Sequence, residues 1–211
     1  MCIRDSMNAT LKSITFFIGM LCINVNIFAE PNPHKFIDSQ AQAMVAVIRS
    51  NQDLYDENPK LFKDKINAIF EPMVDFRRVG ASVMGKKYYL SASKNQRVEF
   101  IDSFRNSLLD TYSSTLAQWG DQKIETIFPE IYETKKTIDV QQNLITPSNI
   151  YPITYKVRKG KNEEWLIINI VVNGVNLGLT FRNQFQALAK EHNENIDAII
   201  KNWTSDANFE D

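Results

Sequence analysis

The sequence has 211 residues, of which 44% are hydrophobic and 23% charged, and its formal net charge is -1. These values are typical of one globular domain with a full core. A nucleic-acid-binding protein normally carries a basic excess, so the balanced charge argues against that class, and we expect no nucleic-acid partner.

The N-terminal segment has the pattern of an export signal. The letters MCIRDS precede a second methionine, and we interpret them as an artefactual leader in front of a start at Met7. Lys12 is followed by the apolar run ITFFIGMLCINVNIF, and Ala29 is the small residue expected before a signal-peptidase cut. We therefore predict a signal peptide within residues 1–29, cleavage after Ala29, and a single exported domain over residues 30–211.

Both cysteines, Cys2 and Cys22, precede the predicted cut. The exported domain would then have no disulfide, no thiol chemistry and no cysteine metal ligand. One alternative stays open, in which Cys22 carries a lipid anchor. Leu21 argues against it, because lipoprotein signals place Gly or Ala before the cysteine.

The first half of the domain places apolar residues at helical spacing. This spacing predicts one helix containing Ile37 to Ile48 and a second containing Phe62 to Phe70. Segment 71–93 is also apolar, but Gly80 and Gly85 interrupt it. We therefore expect short helical pieces there.

The longest predicted helix runs from about Lys94 to Tyr112. Ser93 and Gln96 form a capping-box pattern at its start. Two more helices are predicted at the end of the chain. Their apolar residues are Phe181, Phe185 and Leu188 in one, and Ile196, Ile199, Ile200 and Trp203 in the other.

Between these helical regions, four short runs are rich in β-branched and aromatic residues. They read QKIETIF, KTIDVQQNLI, YPITYKV and EWLIINIVV. Their short connections favour antiparallel pairing, and apolar residues alternate with polar ones in the second and third runs. Asn173-Gly174 is a strong hairpin signal after the fourth run. The expected fold class is α+β, with helices packed on one face of a twisted four-stranded antiparallel sheet around an apolar pocket.

Few residues in the sequence offer catalytic chemistry. His34 and His192 lack any nucleophile motif around them, so we expect no enzyme activity, no metal and no cofactor. Asp75 and Asp139 lie in apolar surroundings, where a structural hydrogen bond is the simpler interpretation. The alternatives left open are a small isomerase-like or hydratase-like enzyme that uses one of these carboxylates beside a tyrosine, and an exported structural or chaperone protein.

Three segments together resemble the MlaC family, the periplasmic phospholipid-binding proteins of the Mla lipid-transport pathway, also called Ttg2-type toluene-tolerance proteins. The segments are NPHKFID near the predicted start of the exported domain, the stretch from Val74 to Leu116, and the stretch from Glu164 to Gln186. Two positions depart from the family pattern. Asn169 stands where family members often have Asp, and Asn176 stands where Ser is common.

The resemblance implies a function and partners for the chain. It implies a monomeric periplasmic carrier that shuttles phospholipid between an outer-membrane Mla lipoprotein complex and the inner-membrane Mla ABC transporter complex, which maintains outer-membrane lipid asymmetry. The lipid would be cargo, with no cofactor. Periodicity and the resemblance together predict a set of lipid-contacting residues. From the helices they are Val79, Val83, Met84, Tyr89, Phe104, Leu108 and Tyr112, and from the strands Ile138, Val140, Ile153, Tyr155, Ile168, Ile170 and Val172.

Overall fold

The computed structural model describes residues 32–131 and 135–206 of the chain. The predicted leader, signal peptide and cleavage site lie outside the described residues. Within them the order of elements is α1 (Pro33–Arg49), α2 (Gln52–Glu57), α3 (Pro59–Met73), α4 (Phe76–Ser91), α5 (Lys94–Ala117), β1 (Lys123–Ile127), β2 (Thr137–Ile145), β3 (Ile150–Lys159), β4 (Trp165–Val172), β5 (Val175–Asn176), α6 (Leu177–Glu191) and α7 (Ile196–Lys201).

The five strands form one antiparallel meander in the order β1-β2-β3-β4-β5. The prediction of an antiparallel sheet is confirmed, with five strands instead of four. The extra strand follows the Asn173-Gly174 turn, in which both residues have positive φ angles of 48° and 83°. An Asn-Gly pair adopts these angles at little cost, so the hairpin forms as expected.

A bulge in β4 changes which of its residues face the helices. Lys156 pairs with Asn169, whereas Val157 pairs with Ile167, so Ile168 has no partner residue on β3. Side chains alternate between faces along a regular strand, and one unpaired residue shifts that alternation. The inward positions are therefore Ile167 before the bulge and Ile170 after it.

The helices begin and end where short-range signals place them. Ser93 and Gln96 form the expected capping box at the start of α5, which extends past the predicted end to Ala117. In α4, Gly85 breaks the helical geometry with φ 73° and ψ 164°. Gly80 does not break it. It lies inside the helix, where an added Cβ would stand 2.9 Å from Cγ1 of Ile101 on α5.

The helices cover one face of the sheet and form three apolar clusters. The helical cluster lies among α4, α5, α6 and α7 around Phe100 and Phe185. The sheet cluster joins α1 and α3 to the sheet around Val157 and Ile167. The third, around Phe62, lies among α1, α2, α3 and the end of α5.

Candidate functional site

A cavity of about 430 Å³ lies where the three clusters meet, between the helices and the inward face of the sheet. Its volume falls within the range of small-molecule sites. Five helices and four strands contribute to its wall. The lining residues are Ile37, Gln40, Ala41, Met44, Val45, Ile48, Ile66, Phe70, Met73, Val74, Phe76, Val79, Phe104, Leu108, Leu109, Tyr112, Ser113, Thr115, Leu116, Trp119, Ile124, Leu144, Ile153, Tyr155, Ile167, Asn169, Ile170, Val172, Leu177, Gly178 and Phe181.

The wall of this cavity is mostly apolar. Within the described part of the chain, no Asp, Glu, Lys, Arg or His side chain lines it. Thr115, on the C-terminal half of α5, is the exposed member of the lining, and the others are buried or partly buried. The site therefore suits an apolar group, and its described lining offers no counter-charge for an ion.

Tyr155 brings a polar atom into this apolar wall. It lies in the middle of β3, paired with Val140 on one side and Ile170 on the other, and its side chain faces the cavity. The hydroxyl makes no hydrogen bond to any residue that the structure describes. Burial raises the pKa of Tyr155, so the hydroxyl stays protonated and keeps its hydrogen.

Asn169 joins β4 to the start of α6, and both elements line the cavity. Its Oδ1 accepts a hydrogen bond from the backbone N–H of Gly178 at 3.1 Å. A Cβ on Gly178 would stand 2.5 Å from the same oxygen, so glycine allows this close approach. The side-chain amide of Asn169 is therefore engaged in a structural hydrogen bond.

Eight of the fourteen sequence-predicted lipid-contacting residues line the cavity. They are Val79, Phe104, Leu108, Tyr112, Ile153, Tyr155, Ile170 and Val172. The other six lie elsewhere. Whether lipid touches any of these side chains stays a prediction.

The six remaining residues are placed outside the lining for different reasons. Ile138 and Val140 face the helices but pack in the sheet cluster. Val83 and Met84 are fully buried in the helical cluster. Tyr89 and Ile168 do not reach the cavity either. The guanidinium of Arg97 lies 4.4 Å from the ring centre of Tyr89, and Ile168 is the unpaired residue of the bulge.

Sequence reasoning missed the contribution of α1 and α3. Both helices supply a large part of the wall, through residues such as Met44, Ile48 and Ile66. The sequence does contain a relevant pattern, because the apolar residues of α1 recur at helical spacing and predict one buried face. Periodicity alone gave no reason to choose the cavity over ordinary core for that face.

The carboxylates considered for an enzyme lie outside the cavity. Asp75 caps α4, where it accepts a hydrogen bond from the backbone N–H of Arg78 at 2.9 Å. Asp139 is exposed and pairs with Lys156 at 2.6 Å. Both roles are structural, so the cavity contains neither of the groups that the enzyme alternative requires.

Two other kinds of feature are absent from the described residues. Within residues 32–131 and 135–206, no helix combines the length and apolar character that crossing a bilayer requires. The same ranges contain no group of three or more His, Cys, Asp and Glu side chains arranged to hold a metal ion.

Comparisons with known proteins identify relatives over most of the chain. The family model described as MlaC protein matches residues 38–205. The toluene tolerance protein ttg2D of Pseudomonas putida is 29% identical over 180 residues, covering 84% of this chain and 82% of that protein. The intermembrane phospholipid transport system binding protein MlaC of Haemophilus influenzae is 27% identical over 191 residues, covering 89% of this chain and 87% of the relative.

A solved structure has the same fold. It is a phospholipid-binding protein from Ralstonia solanacearum in complex with a phospholipid, and it superposes with a TM-score of 0.72. The match covers 80% of this chain and 92% of the solved chain at 20% sequence identity. The α+β architecture predicted for the chain is therefore confirmed.

Proposed function

Because the chain belongs to the MlaC family, we propose that it is a phospholipid carrier that holds the acyl chains of one lipid in the cavity between its helices and its sheet. One relative is named as a phospholipid transport binding protein, and the solved structure of similar fold contains a bound phospholipid. The observation that carries the proposal is the cavity wall, which is apolar and free of charged side chains in the described residues.

The energetics of acyl chains explain why such a container is useful. Burying one methylene group is worth about 0.8 kcal/mol, so two chains with roughly 30 methylenes represent on the order of 20 kcal/mol. Lipid leaves a membrane slowly because water imposes this penalty. A protein with an equivalent apolar interior makes transfer nearly neutral, and it needs no reactive group to do so.

The wider pathway belongs to the same proposal. The carrier would receive lipid from one Mla complex and deliver it to another, between the outer-membrane lipoprotein complex and the inner-membrane ABC transporter complex. Any energy input would come from the ATPase of the transporter. The proposal includes a monomeric protein in the periplasm, exported by the predicted signal peptide.

Native mass spectrometry of the protein purified from a phospholipid-rich host tests the central proposal. We expect wild-type protein to carry the added mass of at least one diacyl lipid. Tyr155→Glu should lose it, because the new carboxylate would lie unpaired in the apolar cavity that the lipid occupies. Thr154→Glu is the matched control, since the neighbouring residue points to the other face of β3 and should leave the lipid bound.

Two results would overturn the carrier proposal. The first is wild-type protein at its lipid-free mass only. The second is turnover of phospholipid by the purified protein that Asp75→Asn or Asp139→Asn abolishes while the fold survives, which would establish the enzyme alternative.

The export step has its own test. Intact-mass measurement of periplasmic material should give a chain that begins at Glu30. A product that retains Met7, or that carries diacylglycerol on Cys22, would contradict a soluble periplasmic carrier.

A further inference from the structure

The hydroxyl of Tyr155 is a hydrogen-bond donor without an acceptor in the described part of the protein. Buried tyrosine hydroxyls usually have a partner, because leaving one unpaired in an apolar environment is unfavourable. Here the neighbours across the sheet are Val140 and Ile170, which have no side-chain acceptor. A molecule that fills the cavity and excludes water from this hydroxyl therefore has to supply its acceptor.

The indole N–H of Trp119 is likewise buried without a partner among the described residues, whereas three other polar side chains of the lining do not raise the question. The amide of Asn169 is bonded to Asn176 and Gly178. Thr115 is exposed, so its hydroxyl has access to water. A helical serine such as Ser113 can bond to a carbonyl of the preceding turn. Tyr155 lies on a strand whose backbone carbonyls accept hydrogen bonds within the sheet. Its hydroxyl therefore cannot bond to a nearby backbone carbonyl as a helical serine can.

A phospholipid offers three kinds of atoms to such a donor. Acyl chains contain no acceptor. Phosphate oxygens are strong acceptors, but an anion inside a low-dielectric cavity needs a counter-charge, and no described residue of the lining supplies one. Ester carbonyl oxygens are neutral acceptors at the top of the acyl chains, and they enter an apolar cavity at far lower cost than the phosphate.

We propose that the Tyr155 hydroxyl donates a hydrogen bond to an ester carbonyl oxygen of the bound lipid and so sets how deeply the glycerol backbone enters the cavity. This inference rests on the proposed function. Tyr155 is then a specificity-determining residue that distinguishes ester-linked lipids from ether-linked lipids. The phosphate stays outside the charge-free region.

Measuring two lipids against two protein variants tests this contact, as in a double-mutant cycle. Diacyl and dialkyl phosphatidylglycerol of equal chain length are exchanged into wild-type protein and Tyr155→Phe, and the affinity ratio of the two lipids is measured for each protein. We expect the preference for the diacyl lipid to be roughly 2- to 12-fold greater in wild-type protein, as one net hydrogen bond predicts. Comparing ratios cancels the intrinsic difference in hydrophobicity between the two lipids.

Tyr151→Phe is the control, because it removes a hydroxyl from a tyrosine of the same strand that lies outside the cavity lining. It should leave the wild-type ratio unchanged. Equal ratios in wild-type protein and Tyr155→Phe would overturn the inference while leaving the carrier function intact. Failure of wild-type protein to bind either lipid would instead contradict the proposed function itself, so the two failures are distinguishable.

Discussion

Asn169 and Asn176 form a side-chain hydrogen bond in which Nδ2 of Asn169 donates to Oδ1 of Asn176 at 3.0 Å. The same Oδ1 accepts the backbone N–H of Leu179 at 3.1 Å and so caps α6. These are the two positions at which the resemblance leads us to expect a departure from a family pattern of Asp and Ser. The two positions therefore belong to one contact, which joins β4 to α6 beside the cavity.

Asn169→Asp should destabilise the protein when made alone. The new carboxylate would face the Oδ1 of Asn176, so a donor is lost and two acceptors oppose each other. We expect the free energy of unfolding to fall by about 1–3 kcal/mol. Denaturant titration monitored by circular dichroism measures this change.

Adding Asn176→Ser to Asn169→Asp should restore the stability that the single variant loses. Asn176→Ser supplies a hydroxyl that can donate to the aspartate, so the double variant should recover most of the loss. Neighbouring residues in one network typically show interaction energies of about 0.5–3 kcal/mol. Strictly additive single and double variants would contradict the proposed coupling.

Gly85→Ala should be strongly destabilising. The φ and ψ angles of Gly85, 73° and 164°, lie in a region that only glycine adopts readily, and the Arg182 guanidinium occupies the space of a Cβ at 3.3 Å. We expect a loss of about 1–3 kcal/mol in the free energy of unfolding. Gly120→Ala is the matched control, because its Cβ would meet nothing closer than 3.7 Å.

The two causes at Gly85 can be separated. Adding Arg182→Ala removes the steric conflict but leaves the backbone angles unchanged. If backbone strain dominates, Gly85→Ala remains destabilising in the Arg182→Ala background. Full recovery in that background would assign the effect to the guanidinium instead.

His34 should make the stability of the protein depend on pH. The side chain is buried in the first turn of α1, and burial lowers its pKa, with a partly offsetting hydrogen bond to the backbone of Ile127. As pH falls below about 6.5, the unfolded state takes up a proton that the folded state resists. Stability should therefore fall with falling pH in this window.

The non-titrating variant His34→Gln provides the reference for this effect. The difference in unfolding free energy between wild type and variant should be constant above about pH 7.5 and should shift against wild type below about pH 6.5. Parallel stability curves across this range would contradict the assignment to His34.

Phe100 should be among the most sensitive positions of the helical cluster. It is fully buried, and its ring centre lies 5.0 Å from that of Phe185 and 5.2 Å from that of Trp203. Phe100→Ala should cost about 3–5 kcal/mol of unfolding free energy, because it removes these contacts and leaves a void. Leu90→Ala, at an exposed position, should change stability by less than about 0.5 kcal/mol. Comparable effects at the two sites in thermal unfolding would contradict this placement of the core.

The sequence predicted local structure well where short-range chemistry decides it. The capping box at Ser93 and the turn at Asn173-Gly174 depend on adjacent residues, and both form as expected. The bulge in β4 depends on how two strands align. No property of Ile168 itself distinguishes it from Ile167 or Ile170, so simple alternation placed Ile168 on the inward face, where the structure places Ile167.

The extent of the cavity depends on how closely the helices pack over the sheet, which the spacing of apolar residues does not specify. Val140 and Tyr155 are partners in the sheet and face the same side. Helices fill the space over Val140, which packs in the sheet cluster, and leave space beside Tyr155. A sequence pattern identifies the inward face, but only the positions of the helices determine which part of that face stays open.

The residues of the cavity wall come from segments that are far apart in the sequence. Its residues range from Ile37 on α1 to Phe181 on α6, so the two ends of the domain meet around one space. A growing or partly folded chain that ends at Val172 has the sheet but lacks one wall. Under the proposed carrier function, the chain therefore offers lipid a complete wall only after α6 has packed beside the sheet.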